Sequence, residues 1–298
     1  MRRISHDLSS ANARFALELV QNAEDNKFTR ARQLGQQPYI RFKVQPTSIV
    51  VECNEDGFIE ENVVSISRIG RSSKSKDRGY IGEKGIGFKS VFQVATAVHI
   101  QSNSFSFSFR YGEGATRDKL GIVTPIWEDE LIPVDERPLT RMTLTPFQAE
   151  EAIPYASLVA QFQQDIPDNL LLFLSTLKKI EIQCQHPDER STLTTFRKIE
   201  RDDGRMVHLV KSVEDANHAD GTPVTEDPPD RYYIIKKDIT QLSLHRSRPN
   251  IDSCEVVLAF PVDEATRPII SMQSCFAFLP IRRTNFSVSC YRIKQANC

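Results

Sequence analysis

The sequence predicts an α+β fold, a mixed or antiparallel sheet carrying an N-terminal helix, followed by a second α/β domain. Three observations predict it. Phe15, Leu19 and Ala23 recur every four residues with Ala16 and Val20 beside them, an apolar stripe at helical spacing. Two runs, YIRFKV (39–44) and SIVVEC (48–53), follow with the composition of strands. Beyond about residue 95 the apolar runs are mostly strand-like. At 298 residues the chain can bury two cores, read as domains at 1–150 and 151–298.

In chain order, Asp7 to about Leu34 reads as one helix, which Ser9 or Ser10 can cap. The two strands that follow are joined by Gln-Pro-Thr as a hairpin. Asn54 to Gly57 is a turn, and Glu60 to Ile69 reads as a helix. Arg71 to Arg78 is polar and basic without periodicity, a loop. A glycine cluster comes next, then a short helix through Lys89 to Val94, then strand-like AVHIQS, FSFSFRY, GIVTPIW and RMTLTPF. Residues 151–182 read as helical, ending in DNLLLFLSTLKKIEI, an apolar helix and then a strand. From Lys198 strands dominate, among them RYYIIKK, SCEVVLAFPV and SCFAFLPI. Between them VEDANHADGTPVTEDPPD is acidic and poor in apolar residues, a solvated loop.

Composition excludes several classes. Lys plus Arg number 38 against 39 Asp plus Glu, which gives no support for a nucleic-acid binder working by bulk electrostatics and leaves only a local basic patch open. No apolar run approaches the roughly 18 residues of a membrane span, and MRRISHDLSSANARF lacks the apolar centre of a secretory signal. The six cysteines are spread without a CxxC pair, which argues against structural zinc and for a reducing compartment, cytoplasmic or nuclear.

The segment GYIGEKGIGFKSVF places Gly82, Gly85 and Gly87 within six residues ahead of a helix-compatible run. Such clusters let backbone turn tightly or approach a ligand, and a glycine loop at a helix N-terminus is a common phosphate cradle. Upstream, ELVQNAED sets Glu18 and Asn22 four apart on one helical face, with Gln21 and Asp25 close to it. By itself that pattern usually means a solvated polar face. Between the two, the strand SIVVEC ends in Asn-Glu-Asp-Gly-Phe.

An acid/amide helix, an acidic turn at a strand end and a glycine loop, in that order, resemble the GHKL ATPase superfamily of histidine kinases, type II topoisomerases and Hsp-type chaperones. ELVQNAED resembles its N-box, and GEKGIGF its GxxGxGF glycine box. Within the superfamily, ELVQNAEDN, IGRSSK and GYIGEKGIGFKSVF are most similar to the sacsin and NO VEIN-like group, as are LLFLSTLKKIEI, VVLAFPV and FAFLPIR further on. The resemblance spans roughly residues 12–283. It implies a two-layer α/β sandwich of the Bergerat type, ATP and Mg²⁺ as ligands, and a second domain that looks truncated after FAFLPIR.

The resemblance also implies roles. Glu18 would be the general base that activates water, and Asn22 would hold Mg²⁺; one helical face can position both. Gly82, Gly85, Ile86, Gly87 and Phe88 would offer backbone N–H groups to phosphates. Arg71 to Lys84 would be the lid, with Ser72, Ser73, Lys74 and Lys84 as nucleotide contacts. Thr140 matches the adenine-side threonine, with Leu139 where the family places glycine. Asp25, Asp56 and Gly57 complete the expected site. For the residue that reads adenine, a gapless alignment on Gly57 gives Cys53, a one-residue slip gives Asn54, and Asp56 is the second choice after Asn54. Asn54 is favoured, since its carbonyl can accept the same hydrogen bond without charge.

Other signals carry less. Gly82 to Ser90 nearly spells a P-loop, but Phe88 intervenes before the lysine. His6 resembles a phosphoacceptor only in its local sequence, and Cys184 with His186 lacks the second pair a metal needs. Arg282 and Arg283 are candidates for sensing the γ-phosphate from the second domain. The expected activity is Mg²⁺-dependent ATP binding with slow hydrolysis, as a conformational switch or chaperone-like module acting through a homodimer or a client protein. The alternatives are a nucleotide-sensing module without turnover and an interaction domain that has lost nucleotide.

Overall fold

The computed structural model describes residues 14–67, 87–118, 120–129, 132, 138–148, 152–186, 190–215, 223–240, 253–270, 273–277, 279–284 and 291–294. Among them the chain is a mixed α/β structure with a large sheet and few helices. The helices are α1 (Arg14–Glu24), α2 (Thr29–Gln33), α3 (Glu60–Ile66) and α4 (Tyr155–Asp165), with 3-10 turns at Gly87–Gln93 and Leu170–Phe173. The first strands are β1 (Tyr39–Val44), β2 (Ile49–Cys53), β3 (Ala95–Ser102), β4 (Phe105–Arg110), β5 (Ile126–Trp127) and β6 (Thr140–Pro146). Next come β7 (Lys179–Gln185), β8 (Ser191–Arg201), β9 (Met206–Asp215), β10 (Pro223–Glu226) and β11 (Asp230–Thr240). The last are β12 (Ser253–Val262), β13 (Gln273–Ala277), β14 (Leu279–Thr284) and β15 (Tyr291–Lys294). They form one sheet in the order β14-β13-β15-β12-β11-β9-β8-β7-β1-β2-β6-β3-β4-β5, with β10 paired to β9.

β1 alternates as its sequence does. Ile40, Phe42 and Val44 are buried, while Tyr39, Arg41 and Lys43 face the other side. The inward face of β1–β4, β6 and β7 packs against α1, the 3-10 turn at Gly87–Gln93 and α4. Phe162 of α4 meets Phe15 of α1 edge-on at 5.7 Å and Phe42 of β1 at 5.3 Å. β7 pairs in parallel with β1, so the sheet runs without a break across residue 150.

The helix expected over 7–34 is two helices among the described residues. α1 stops at Glu24, and α2 begins only at Thr29, with buried Phe28 between them. Two distant partners impose the break. The Glu24 carboxylate is drawn to residues 175–177, and Asp56 accepts the Arg30 N–H at the start of α2, at 2.9 Å. The apolar helix expected in DNLLLFLST is only a 3-10 turn, all four of whose residues are buried. Of GIVTPIW, only Ile126 and Trp127 pair as strand.

The outer face of the sheet carries a row of charge across four strands. Arg41 lies opposite Glu181 on one side and Glu52 on the other, and Glu52 lies opposite Arg141. Glu181 and Glu52 are only 5% and 3% exposed, covered by the long cationic side chains around them. Arg41 Nε donates to Glu181 Oε2 at 2.7 Å, Lys179 Nζ reaches Glu181 Oε1 at 2.9 Å, and Lys43 Nζ lies 3.0 Å from Glu52 Oε2. Burial pushes the Glu181 carboxyl up, but the Arg41 hydrogen bond and charge, with Lys179, outweigh it and hold the group below its usual 4.5. A depressed carboxylate gives stability that is present above its unfolded value and lost as pH falls through the folded one. Glu181→Gln is therefore expected to cost about 1–3 kcal/mol near neutral pH. It should also flatten the decline in stability below about pH 4.5, as read from denaturant midpoints across that range.

No helix among the described residues is long and apolar enough to cross a membrane.

Candidate functional site

α1 is buried nearly all round. Among its described side chains Phe15, Ala16, Leu17, Leu19, Val20, Gln21, Ala23 and Glu24 are inside and Glu18 and Asn22 are half-open, as is Asp25 just beyond the helix. Spacings of four and three put these on one line along the helix. The expected polar face is thus narrowed to a single polar line.

The 3-10 turn Gly87–Gln93 packs against α1. At its first residue, a Cβ added to Gly87 would sit 2.8 Å from Glu18 Oε2. Only a glycine lets the backbone come this close to the Glu18 carboxylate. The turn is fixed from behind: Ser90 Oγ donates to Gly87 O at 2.6 Å, and the Phe88 ring packs against Phe92 and Phe109. Lys89 donates to the carbonyls of Ile66 and Ile122 and lies 4.4 Å from the centre of the Phe109 ring. Burial pulls its ammonium down to about 8. Gly82, Lys84, Gly85 and Ile86, with Ser72, Ser73 and Lys74, lie outside the described residues, as does His6.

At the other end of β2 the acidic turn divides into four different environments. The Cys53 thiol is buried, which pushes it well above its ordinary value, and the Glu55 charge adds to this. The Asn54 amide is engaged at both ends: Tyr39 N–H donates to Oδ1 at 2.8 Å, and Nδ2 donates to Gln37 O at 3.0 Å. Asp56 faces α2. Burial raises its carboxyl, but hydrogen bonds from Arg30 and Thr29 outweigh this and hold it below the usual range. Gly57 takes φ +82°, and a Cβ there would lie 2.4 Å from Asn103 Nδ2, which donates to the carbonyls of Asp56 and Phe58.

The residue the sequence reading passed over is Glu55. It is 4% exposed and accepts the Thr140 hydroxyl at 2.5 Å. Thr140 Oγ1 lies 2.7 Å from Ser102 Oγ, which itself accepts the Phe58 N–H at 2.8 Å. Since the Thr140 proton goes to Glu55, Ser102 donates to Thr140, and the chain of donors ends on one buried carboxylate. Thr140 is therefore paired to an acid at the end of β2, but that acid is Glu55. Aligning on Gly57 compares positions 53, 54 and 56; the signal that separates them from 55 is a hydroxyl 85 residues away.

Cys184 and His186 do not converge on a metal position. Burial pushes the Cys184 thiol to about 11, and His186 Nε2 is 3.0 Å from Thr192 Oγ1. No group of three or more His, Cys, Asp or Glu residues that could hold a metal occurs among the described residues.

Residues 1–108 match the Sacsin domain. The matched segment holds α1, the acidic turn and the glycine box. Over 294 residues, 94% of its length, the chain is also 31% identical to Protein NO VEIN of Arabidopsis thaliana. Both matches support the sacsin/NO VEIN-like group. The chain spans 10% of that plant protein, so the alignment covers one region of a much longer relative.

Proposed function

We propose that the chain is an ATP-binding module of the GHKL type, built on a two-layer Bergerat-type sandwich, that works as a slowly hydrolysing, Mg²⁺-dependent conformational switch. One observation carries the reading: the half-open line of Glu18 and Asn22 lies on a helix whose other described side chains are buried, with Gly87 closed against Glu18. Burying a helix on every side except one acid/amide line exposes a pair of groups suited to a metal–phosphate and a water. The Sacsin domain match, which ends before β4 is complete, covers that same constellation.

The donor set fits Mg²⁺-ATP. Asn22 supplies an amide oxygen for the metal, and Mg²⁺ takes few protein ligands because phosphate oxygens and water fill the rest. The bound ion would offset charge on the phosphates. Glu18 is the base that holds a water and takes its proton. Gly87 and Phe88 begin a 3-10 turn whose leading N–H groups suit an anion. On the purine side, Glu55 is favoured over Asn54 as acceptor for the adenine amino group. The Asn54 amide is already spent on Gln37 and Tyr39, whereas Glu55 is oriented by Thr140. A second copy or a client protein is the partner through which such a switch would act. A sensing module without turnover is the second reading, favoured by the buried, un-ionised Cys53 at the gapless acid position.

Calorimetric titration of ATP and ADP, with Mg²⁺ and with EDTA, on wild type and Asn22→Ala, tests the reading. Mg²⁺-dependent binding that vanishes in the variant is the expected result. A folded wild type that binds no nucleotide at millimolar concentration overturns it.

Gly87→Ala gives a finer test. The added methyl meets the movable end of Glu18, not backbone, so the fold should lose less than about 1 kcal/mol. Displacing that carboxylate should still lower turnover by about 10–100-fold, measured beside a melting curve.

A further inference from the structure

Glu24 breaks a local rule. It is the last residue of α1, where the helix dipole disfavours an anion, and no basic residue lies in that turn to offset it. It is also only 7% exposed. Its carboxylate is held instead by three successive backbone amides. Oε1 accepts from Ser175 at 2.5 Å and Thr176 at 3.0 Å, and Oε2 accepts from Thr176 at 3.1 Å and Leu177 at 2.9 Å. Successive N–H groups of this kind form an anion-binding concavity, and this one is filled by a side chain more than 150 residues earlier in the chain.

The same short loop is gripped from its other side. Lys198 Nζ, on β8, donates to Leu174 O at 2.8 Å and lies 3.1 Å from Glu200. Lys198 N–H donates to Lys178 O, and Lys178 N–H donates to Pro38 O just ahead of β1. Residues 174–178 therefore connect α1, β1 and β8. Glu24 lies two residues beyond Asn22, roughly 200° around the helix. The carboxylate thus grips α1 on the side away from its open line.

We propose that Glu24 is the positioning residue of this site: its seat in the 175–177 amides fixes the helix that presents Glu18 and Asn22, and ties that helix through Lys198 to β8. The coupling stands on geometry alone; its effect on ligand binding rests on the nucleotide reading. Nothing in the proposed chemistry uses Glu24 directly. A shift of α1 would reach the 174–178 loop first and β8 next, so the state of the site and the downstream half of the sheet are linked.

Glu24→Gln keeps the volume but points an NH₂ group at amide donors, and Glu24→Asp keeps the charge one methylene short. Hydrogen exchange without nucleotide reads the coupling. In Glu24→Gln the amides of 175–177 and of the last turn of α1 should exchange at least about tenfold faster, while those of β2 and β6 stay as in wild type. Glu24→Asp should fall between the two, and it carries the comparison if Glu24→Gln does not fold. Faster exchange at 175–177 with α1 unchanged overturns the proposal, because the carboxylate would then only cap a loop.

The second readout is a split in affinity. Binding of ATP with Mg²⁺ should weaken about tenfold, whereas binding in EDTA should change less than about twofold. Equal losses in both would mean a general structural role and also overturn it. If wild type binds no nucleotide, the functional reading fails, and the exchange result alone decides whether Glu24 couples α1 to the sheet.

Discussion

Glu18→Gln is expected to lower ATP turnover by about 10²–10⁴-fold, the usual contribution of a positioned general base, while MgATP affinity changes less than about threefold. The substitution replaces one oxygen with an NH₂ of the same size, so contact with Gly87 and the packing of α1 are kept. What is lost is the capacity to take a proton from water. Asn22, one helical turn on, stays in place for the metal. Single-turnover hydrolysis and calorimetry on the same preparation check both halves. Unchanged turnover would remove Glu18 from the chemistry. Turnover absent already in wild type, with binding intact, would leave a sensing module.

Phe162→Ala is expected to cost about 3–5 kcal/mol of folding stability, the range for truncating a fully buried aromatic residue. Phe162 is 2% exposed and wedged between Phe15 and Phe42, so its removal leaves a cavity under both α1 and β1. Denaturant titration reads the loss as a lower midpoint with an unchanged slope. The contact has a corollary for any shortened chain. A fragment ending at residue 150 lacks both α4 and β7, uncovers Phe15 and Phe42, and leaves the β1 edge unpaired. It should therefore fail to fold cooperatively. A cooperative transition in that fragment would assign the apolar contact a minor role.

Local pattern made much of the fold legible. YIRFKV reads as a strand because its apolar residues alternate, and β1 spans those same residues. ELVQNAED and the run into Phe88 were readable as motifs, and the Glu18–Gly87 approach brings the two together. What escaped depends on partners far along the chain. The break after Glu24 comes from amides at 175–177 and from Asp56, none of which is visible in the periodicity of residues 14–34. Glu55 and Asn54 are neighbours of similar polarity. Only the approach of Thr140 to one, and of Gln37 and Tyr39 to the other, tells them apart. The charge row on the outer face shows the same limit. Its residue types are plain in the sequence, but their alternation exists only because β7, β1, β2 and β6 lie side by side.

That parallel pairing also sets a schedule. Arg41 and Glu181 are separated by 140 residues, and a ribosome adds about 5–20 residues per second. For roughly 7 to 28 seconds of synthesis, β1 and β2 therefore exist without the strand that flanks them, and Glu52 without the full row that β7 completes. The first half of the nascent chain must wait for the second. Until then the β1 edge that β7 will cover stands open to pairing with another chain.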